Sequence, residues 1–173
     1  GHMMVVACDQ RGAMRQILAS TPEERAGIDE NKLGDVKSDI VAHLANSASC
    51  VLLDPVCAVP RVIDEGVLGR DTALLIGLDA SGWDVDAKGY RLSKLVPGVD
   101  ARRVRELGGT GGKLMVYLRP DHPEANTHNI GIIRDCVADF AKEDLLLVVE
   151  ILTYAVDGED EAAYKAKFGE LIE

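Results

Sequence analysis

A chain of 173 residues with 47% hydrophobic content holds enough apolar material for one substantial core, which excludes an intrinsically disordered tract. A formal charge of −10 excludes a general binder of nucleic acid or anionic membrane, since both demand a basic surface, but a phosphorylated ligand needs only a few local donors. No apolar run reaches the roughly 18 residues that span a bilayer, and no basic segment leads into a signal-peptide core, so the expectation is a cytoplasmic protein.

Residues 1–3 (Gly1-His2-Met3), ahead of Met4, have the form of a remnant of tag removal, which leaves 4–173 as a single domain. The continuous apolar run Met4–Cys8 predicts a first strand buried on both faces and ending at Asp9. Helical spacing of Ala13, Met14, Ile17 and Leu18 predicts a helix over 11–19, and Ser20-Thr21-Pro22-Glu23 suits a turn able to cap a further helical turn. Leu33, Val36, Ile40, Val41 and Leu44 share one face of a predicted helix over 31–46. Apolar runs at 49–53 and 72–76 predict the second and third strands, the former running into Asp54-Pro55. The long loop 79–98 holds the single tryptophan, Trp83, and a loop of that size is either functional or an ordinary cover. A short basic helix over 101–107, four glycines within 108–112, a fourth strand over 113–118, a helix over 129–142 and a fifth strand over 145–150 follow. Residues 160–173 predict a closing helix with Ala163, Phe168 and Leu171 available for packing.

Alternation of apolar strands with helices means a parallel α/β sheet. Two architectures satisfy it. An open doubly wound sheet of five strands fits the length, whereas a (β/α)8 TIM barrel needs about 250 residues, so the chain would supply only five of its units. Pattern alone favours the open sheet. Cys8, Cys50, Cys57 and Cys136 form no CxxC pair and are read as reduced and buried.

Ligands of parallel α/β folds bind at the carboxyl ends of strands. The first strand ends in Asp9-Gln10-Arg11, the second in Asp54 and the fifth in Glu150, while Lys113 stands near the start of the fourth. A lysine flanked by carboxylates is the chemistry of imine-forming aldolases. Asp9, Lys113 and Glu150 fit it, and they equally fit a buried ion-pair network that holds strands in register.

The segments Ala7–Met14, Ala48–Pro55, Gly112–Tyr117 and Val149–Tyr154 together resemble, in order, the strand-end segments of the class I tagatose-bisphosphate aldolase family, which is also similar to the sulfofructose-phosphate aldolases. The resemblance runs from Met4 to Tyr154. It implies a TIM barrel and retro-aldol cleavage of a phosphorylated ketose, such as tagatose 1,6-bisphosphate, to dihydroxyacetone phosphate and an aldehyde, without a cofactor. Asp9 is then implied to position substrate and proton transfers, Lys113 to assist through charge and hydrogen bonding, and Glu150 to be the acid/base that protonates the carbinolamine as water leaves. Gln10, Arg11 and Asp54 fall in the matched segments as candidate substrate-binding residues, Arg11 either orienting Asp9 or meeting substrate oxygen.

The family's Schiff-base lysine lies on the sixth strand, about 30 residues beyond Glu150 when eight units share about 250 residues. The chain ends at Glu173, and Lys165 and Lys167 fall in the closing helix as solvated surface residues. The family's phosphate-binding segments also follow later strands. The expectation is a partial, truncated barrel of about five units, inactive as it stands. It would be a fragment or internally started copy, a half completed by another polypeptide, or a barrel in which Lys113 has become the nucleophile, as transaldolase uses a fourth-strand lysine. Unpaired edges of such a barrel predict a homo-oligomer that covers them. Metal-dependent class II chemistry needs converging histidines; His43, His122 and His128 form no such cluster, so no metal is expected. The competing readings are a catalytically silent remnant acting through interactions, and a flavodoxin-like binding module, which the glycine run disfavours because it precedes a strand.

Overall fold

The computed structural model describes residues 3–172, apart from the side chain of Asn46. Five parallel strands form one sheet: β1 (Val5–Cys8), β2 (Cys50–Leu53), β3 (Ala73–Gly77), β6 (Gly111–Tyr117) and β7 (Leu146–Leu152). Between β3 and β6 a small antiparallel hairpin is made by β4 (Asp84–Val85) and β5 (Arg91–Leu92). Eight helices join these strands: α1 (Gly12–Leu18), α2 (Pro22–Ala26), α3 (Glu30–Leu44), α4 (Ala58–Glu65), α5 (Ala101–Glu106), α6 (Thr127–Lys142), α7 (Glu161–Ala166) and α8 (Phe168–Ile172).

The large strands lie beside one another in the order in which the chain makes them. That order separates the two architectures. A doubly wound sheet reverses its strand order at a switch point and carries helices on both faces, whereas a barrel sector never reverses and carries them on one. Here Val51, Leu53, Leu74, Ile76, Leu114 and Val116 pack with α3 to α6 in one core. The apolar cluster on the opposite face is small, Cys50, Leu52 and Leu75 joined by Ala73 and Val148, and it includes no helix residue among the described residues. The sheet is a curled half-barrel and the open-sheet alternative is set aside.

Helix α3 is capped by the Asp29 carboxylate, which accepts from the Lys32 amide at 2.8 Å. Its buried stripe is Leu33, Lys37 and Val41 with Gly34 and Ser38, while Leu44 is exposed. The face predicted from apolar spacing is therefore rotated: a lysine lies in the buried stripe because Asp54 neutralises it. Helix α4, for which the sequence pattern offers no expectation above, buries Ala58, Val59 and Val62 and tolerates Pro60 in its first turn, where the amide has no helical partner to lose. The closing helix is two short ones broken at Lys167; Leu171 is buried, but Ala163 is exposed and Phe168 packs edge-on against Tyr164 at the surface.

Gly112 explains part of the glycine run. A Cβ there would lie 2.5 Å from the Phe140 ring, so only glycine lets α6 press this closely on β6. All four cysteines are buried and unbridged; burial, then the neighbouring Asp54 carboxylate, pushes the Cys57 thiol up to about 12. No helix among the described residues is long and apolar enough to cross a membrane.

Candidate active site

The strand register builds the site. Cys8, Leu53, Ile76, Gly112 and Leu147 share one level across the sheet. Because β6 starts with Gly111 opposite Leu75, its third residue, Lys113, is level with the residues that follow β1 and β2. A lysine that looks early in its strand thus stands at the carboxyl ends of the shorter strands. Side chains alternate between faces. Lys113 and Met115 of β6, with Glu150 and Leu152 of β7, therefore share the concave face with Ala7 and Leu52.

There they line a cleft of about 450 Å³ with Asp9, Gln10, Arg11, Asp79 and Gly82. The Lys113 ammonium lies 2.7 Å from the Glu150 carboxylate, 3.2 Å from Asp9 and 3.6 Å from Asp79. Lys113, Asp9 and Asp79 are mostly shielded from solvent, but the Glu150 side chain is 46% exposed. The three predicted groups meet in one cavity, and Asp79 joins them. Asp79 is absent from the sequence expectation; it lies beyond the third apolar run, two residues further along than Asp9 and Asp54 lie beyond theirs. An acid just past a strand end was the available signal.

Asp79 is held by the Met115 amide, which donates to its carboxylate at 3.1 Å, and by Arg11, whose guanidinium donates to the Asp79 carbonyl at 2.9 Å. Arg11 thus orients Asp79 rather than Asp9. Burial raises the Asp79 carboxyl above its ordinary range despite Lys113 beside it, with Asp9 adding repulsion. Burial works against the Lys113 charge, yet the hydrogen bond to Glu150 and the fields of Asp79 and Asp9 override it and hold the ammonium above its ordinary value. The carboxylates thus favour the charged form of this amine.

Asp54 is not brought to this cleft. The chain leaves β2 at that residue, and the carboxylate turns under the helices to pair with the fully buried Lys37 of α3. Its other oxygen accepts from the Val56 and Cys57 amides at 3.0 and 2.8 Å. Asp54 is itself 1% exposed, so contact with a ligand would require breaking a buried ion pair. This corrects its placement among the substrate-binding candidates. Lys167 also differs from expectation: half-buried, it bridges Asp121 at 2.9 Å and Glu159 at 2.7 Å, while Lys165 pairs with Glu161 at the surface.

The 79–98 loop folds over the carboxyl ends of the strands. The Ala80 amide donates to Lys94 O and the Val96 amide to Leu78 O, each at 2.8 Å, closing the loop at its base. Asn129, fully buried, fastens the far side: its amide donates to Arg91 O and Tyr117 O, and its oxygen accepts from Ser93 N. A hollow of similar size to the cleft, lined by Leu78, Val99, Cys136 and Phe140 on the helix-covered side, contains none of the lysine–carboxylate cluster.

A half-barrel that gathers a lysine and carboxylates at its strand ends has the layout of a (β/α)-barrel ligand site. The DeoC/LacD family aldolase profile matches residues 3–168, and the chain belongs to that family. It is 29% identical over 155 residues to the tagatose 1,6-diphosphate aldolase of Staphylococcus aureus (strain bovine RF122 / ET3-1), and equally to one from Staphylococcus epidermidis. These matches cover 89% of the chain and 46% of each relative, so the chain spans about half the length of the curated relatives it matches. A Corynebacterium glutamicum protein of solved structure shares the backbone arrangement with a TM-score of 0.55 at 16% identity, over 88% of this chain and 50% of that one.

Proposed function

We propose that this cleft serves aldol chemistry on a phosphorylated ketose, releasing dihydroxyacetone phosphate and an aldehyde. The observation that carries the reading is the Lys113 ammonium held within 3.6 Å of three carboxylates on the concave face of the half-barrel. Retro-aldol cleavage takes a proton from a hydroxyl as the carbon–carbon bond breaks and returns one to the enamine carbon, so it needs a carboxylate that exchanges protons with solvent and a fixed cation for developing negative charge. Glu150, the most exposed of the three acids, suits the first task, and Lys113 the second. Asp9, shielded and 3.2 Å from the ammonium, suits positioning of the substrate hydroxyls. In this reading Lys113, held among three carboxylates, stabilises charge and does not itself form an imine.

Dihydroxyacetone phosphate binding, followed by ³¹P NMR and by borohydride trapping with mass spectrometry, tests this. The expected result is saturable binding that weakens about tenfold or more in Lys113→Met and in Glu150→Gln, since each loses a charged hydrogen-bonding group. Release of dihydroxyacetone phosphate from tagatose 1,6-bisphosphate would establish the activity directly. Absence of any binding by the folded chain overturns the reading in favour of a silent, interaction-based role. A reduced adduct on Lys113 keeps the aldol chemistry but overturns the role given to that lysine.

A further inference from the structure

Arg91 is partly buried, and no carboxylate, carbonyl or amide oxygen among the described residues accepts from its guanidinium. Arg11, Arg15 and Arg25 each donate to backbone carbonyls, Arg61, Arg102, Arg103, Arg105, Arg119 and Arg134 each meet an acid, and Arg70 is exposed to solvent. The Arg91 guanidinium is instead packed among aromatic faces, 3.8 Å from the ring centre of Trp83, 4.9 Å from that of Tyr154 and 5.0 Å from that of Tyr117. Stacking of this kind holds the plane of the fork; one N–H meets the Tyr117 hydroxyl, and the other N–H groups meet no acceptor among the described residues.

The three rings are not among the cleft's lining residues but stand next to them along the chain, with Tyr117 and Tyr154 buried. Trp83 follows the lining residue Gly82; Tyr117 is two residues beyond Met115 on the same face of β6; Tyr154 is two residues beyond Leu152 of β7. Tyr117 pairs with Leu152 in the register, so the aromatic layer lies directly above the lysine–carboxylate layer. The four residues from Lys113 to Tyr117 span about 13 Å of strand. Tyr117 also feels both layers: burial raises its phenol, the Arg91 guanidinium opposes this, and Asp79 and Glu150 add to it.

The position of Arg91 is fixed from several directions. Its amide donates to the Tyr154 hydroxyl at 3.1 Å, and its carbonyl accepts from Asn129. The hairpin turn before it uses Gly89 in the left-handed region, at φ 84°, packed so closely on Asp157 that a Cβ would lie 2.9 Å away. A rotamer-rich side chain already ordered in the free protein loses little entropy when an anion arrives. The layer beneath it is the wrong place for a phosphate, because three carboxylates surround a single ammonium there. A ligand with a phosphate at one end and reacting carbons at the other must hold its dianion clear of those acids.

We propose that Arg91 is an anion-recognition residue at the rim of the cleft, binding the phosphomonoester group of the ligand farthest from the reacting carbons, with Trp83, Tyr117 and Tyr154 as the platform that orients it. The assignment deepens the aldol reading and rests on it for the identity of the ligand as a sugar phosphate. Binding of the phosphate itself needs no carbonyl chemistry.

Glycerol 3-phosphate, which cannot form an imine, is the probe, and Trp83, the single tryptophan, is the built-in reporter. The expected result is a saturable change in Trp83 fluorescence with glycerol 3-phosphate and none with glycerol. Arg91→Gln should weaken the affinity about tenfold or more, as expected when a charge-assisted hydrogen bond is lost, and Arg134→Gln, at an exposed pair on α6, should leave it unchanged. An unchanged affinity in folded Arg91→Gln overturns the proposal and leaves Arg91 as a packing residue. Should that variant not fold, the Arg91 Nε–H resonance of the native protein decides: a shift on adding glycerol 3-phosphate supports the subsite, and an unmoved signal overturns it. Arg91-dependent binding of glycerol 3-phosphate without any response to dihydroxyacetone phosphate that depends on Lys113 would retain the subsite and reject the aldol reading; the reverse pattern would do the opposite.

Discussion

Lys113 shows how one residue serves packing and chemistry together. Its ammonium neutralises Asp9 and Asp79, two carboxylates that are largely removed from water, and removing one member of such a buried set leaves the others uncompensated. Lys113→Met should therefore cost about 3–5 kcal/mol of stability at pH 7, read by urea denaturation. The loss should shrink as the solution is made acidic. Asp79 has a raised folded-state value, so its contribution to stability is complete below the ordinary carboxylate range and is lost as pH rises through that raised value. Without Lys113 the raising grows, and the variant recovers on protonation. A deficit that is equal at pH 7 and pH 5 would show that Asp79 and Asp9 do not depend on this cation.

At the scale of elements, α7 and α8 are fastened to the end of β6 by a charged clasp rather than by apolar packing alone. Arg119, fully buried, donates to Asp121 through Nε at 2.9 Å, to Glu159 through Nη1 at 2.6 Å and to Tyr154 O at 2.7 Å, and Lys167 closes the group from the helix junction. The hydrogen bond from Arg119 holds the Asp121 carboxyl far below its usual range, and the same donor brings Glu159 down to about 2. A depressed carboxylate contributes stability that is present above its unfolded value, near 4.5 for glutamate, and is lost as pH falls through the folded one. Protection of α7 and α8 against hydrogen exchange, measured relative to the intrinsic rate at each pH, should accordingly fall between about pH 4.5 and 2. Glu159→Gln should lower stability by about 1–3 kcal/mol at pH 7 and flatten that acid dependence. Acid-independent protection of these helices would mean that Leu171 and its neighbours hold them unaided.

For the molecule as a whole, the sheet ends in two edges, β1 and β7, whose outer sides carry no strand partner among the described residues. Both edges are apolar: Val5 is 37% exposed on β1, and Leu146 and Ile151 are 52% and 59% exposed on β7. Unpaired apolar edges template further pairing. The prediction is concentration-dependent self-association, measured by sedimentation, and its reduction by Ile151→Lys, since a charged edge resists pairing. A well-folded monomer at tens of micromolar, as judged by the same measurement, would show that the edges are tolerated in water.

The apolar runs marked the five strands, although β1 and β7, expected from such runs to be buried on both faces, stand partly exposed at the sheet edges, and the acids placed beyond the runs marked the end of the sheet where ligands bind. The resemblance of four strand-end segments pointed to the family and to Asp9, Lys113 and Glu150. What sequence could not decide depended on partners distant along the chain. Lys37 reads as a polar interruption of α3 until Asp54 is seen to neutralise it, which also removes Asp54 from the cleft. Likewise the stagger of β6 against β3, absent from any local pattern, raises Lys113 to the level of Asp9 and brings in Asp79, and only the folded loop sets Arg91 among three rings. Burial of apolar side chains is legible one segment at a time; the pairing of charges is a property of two segments meeting, and only the tertiary structure brings them together.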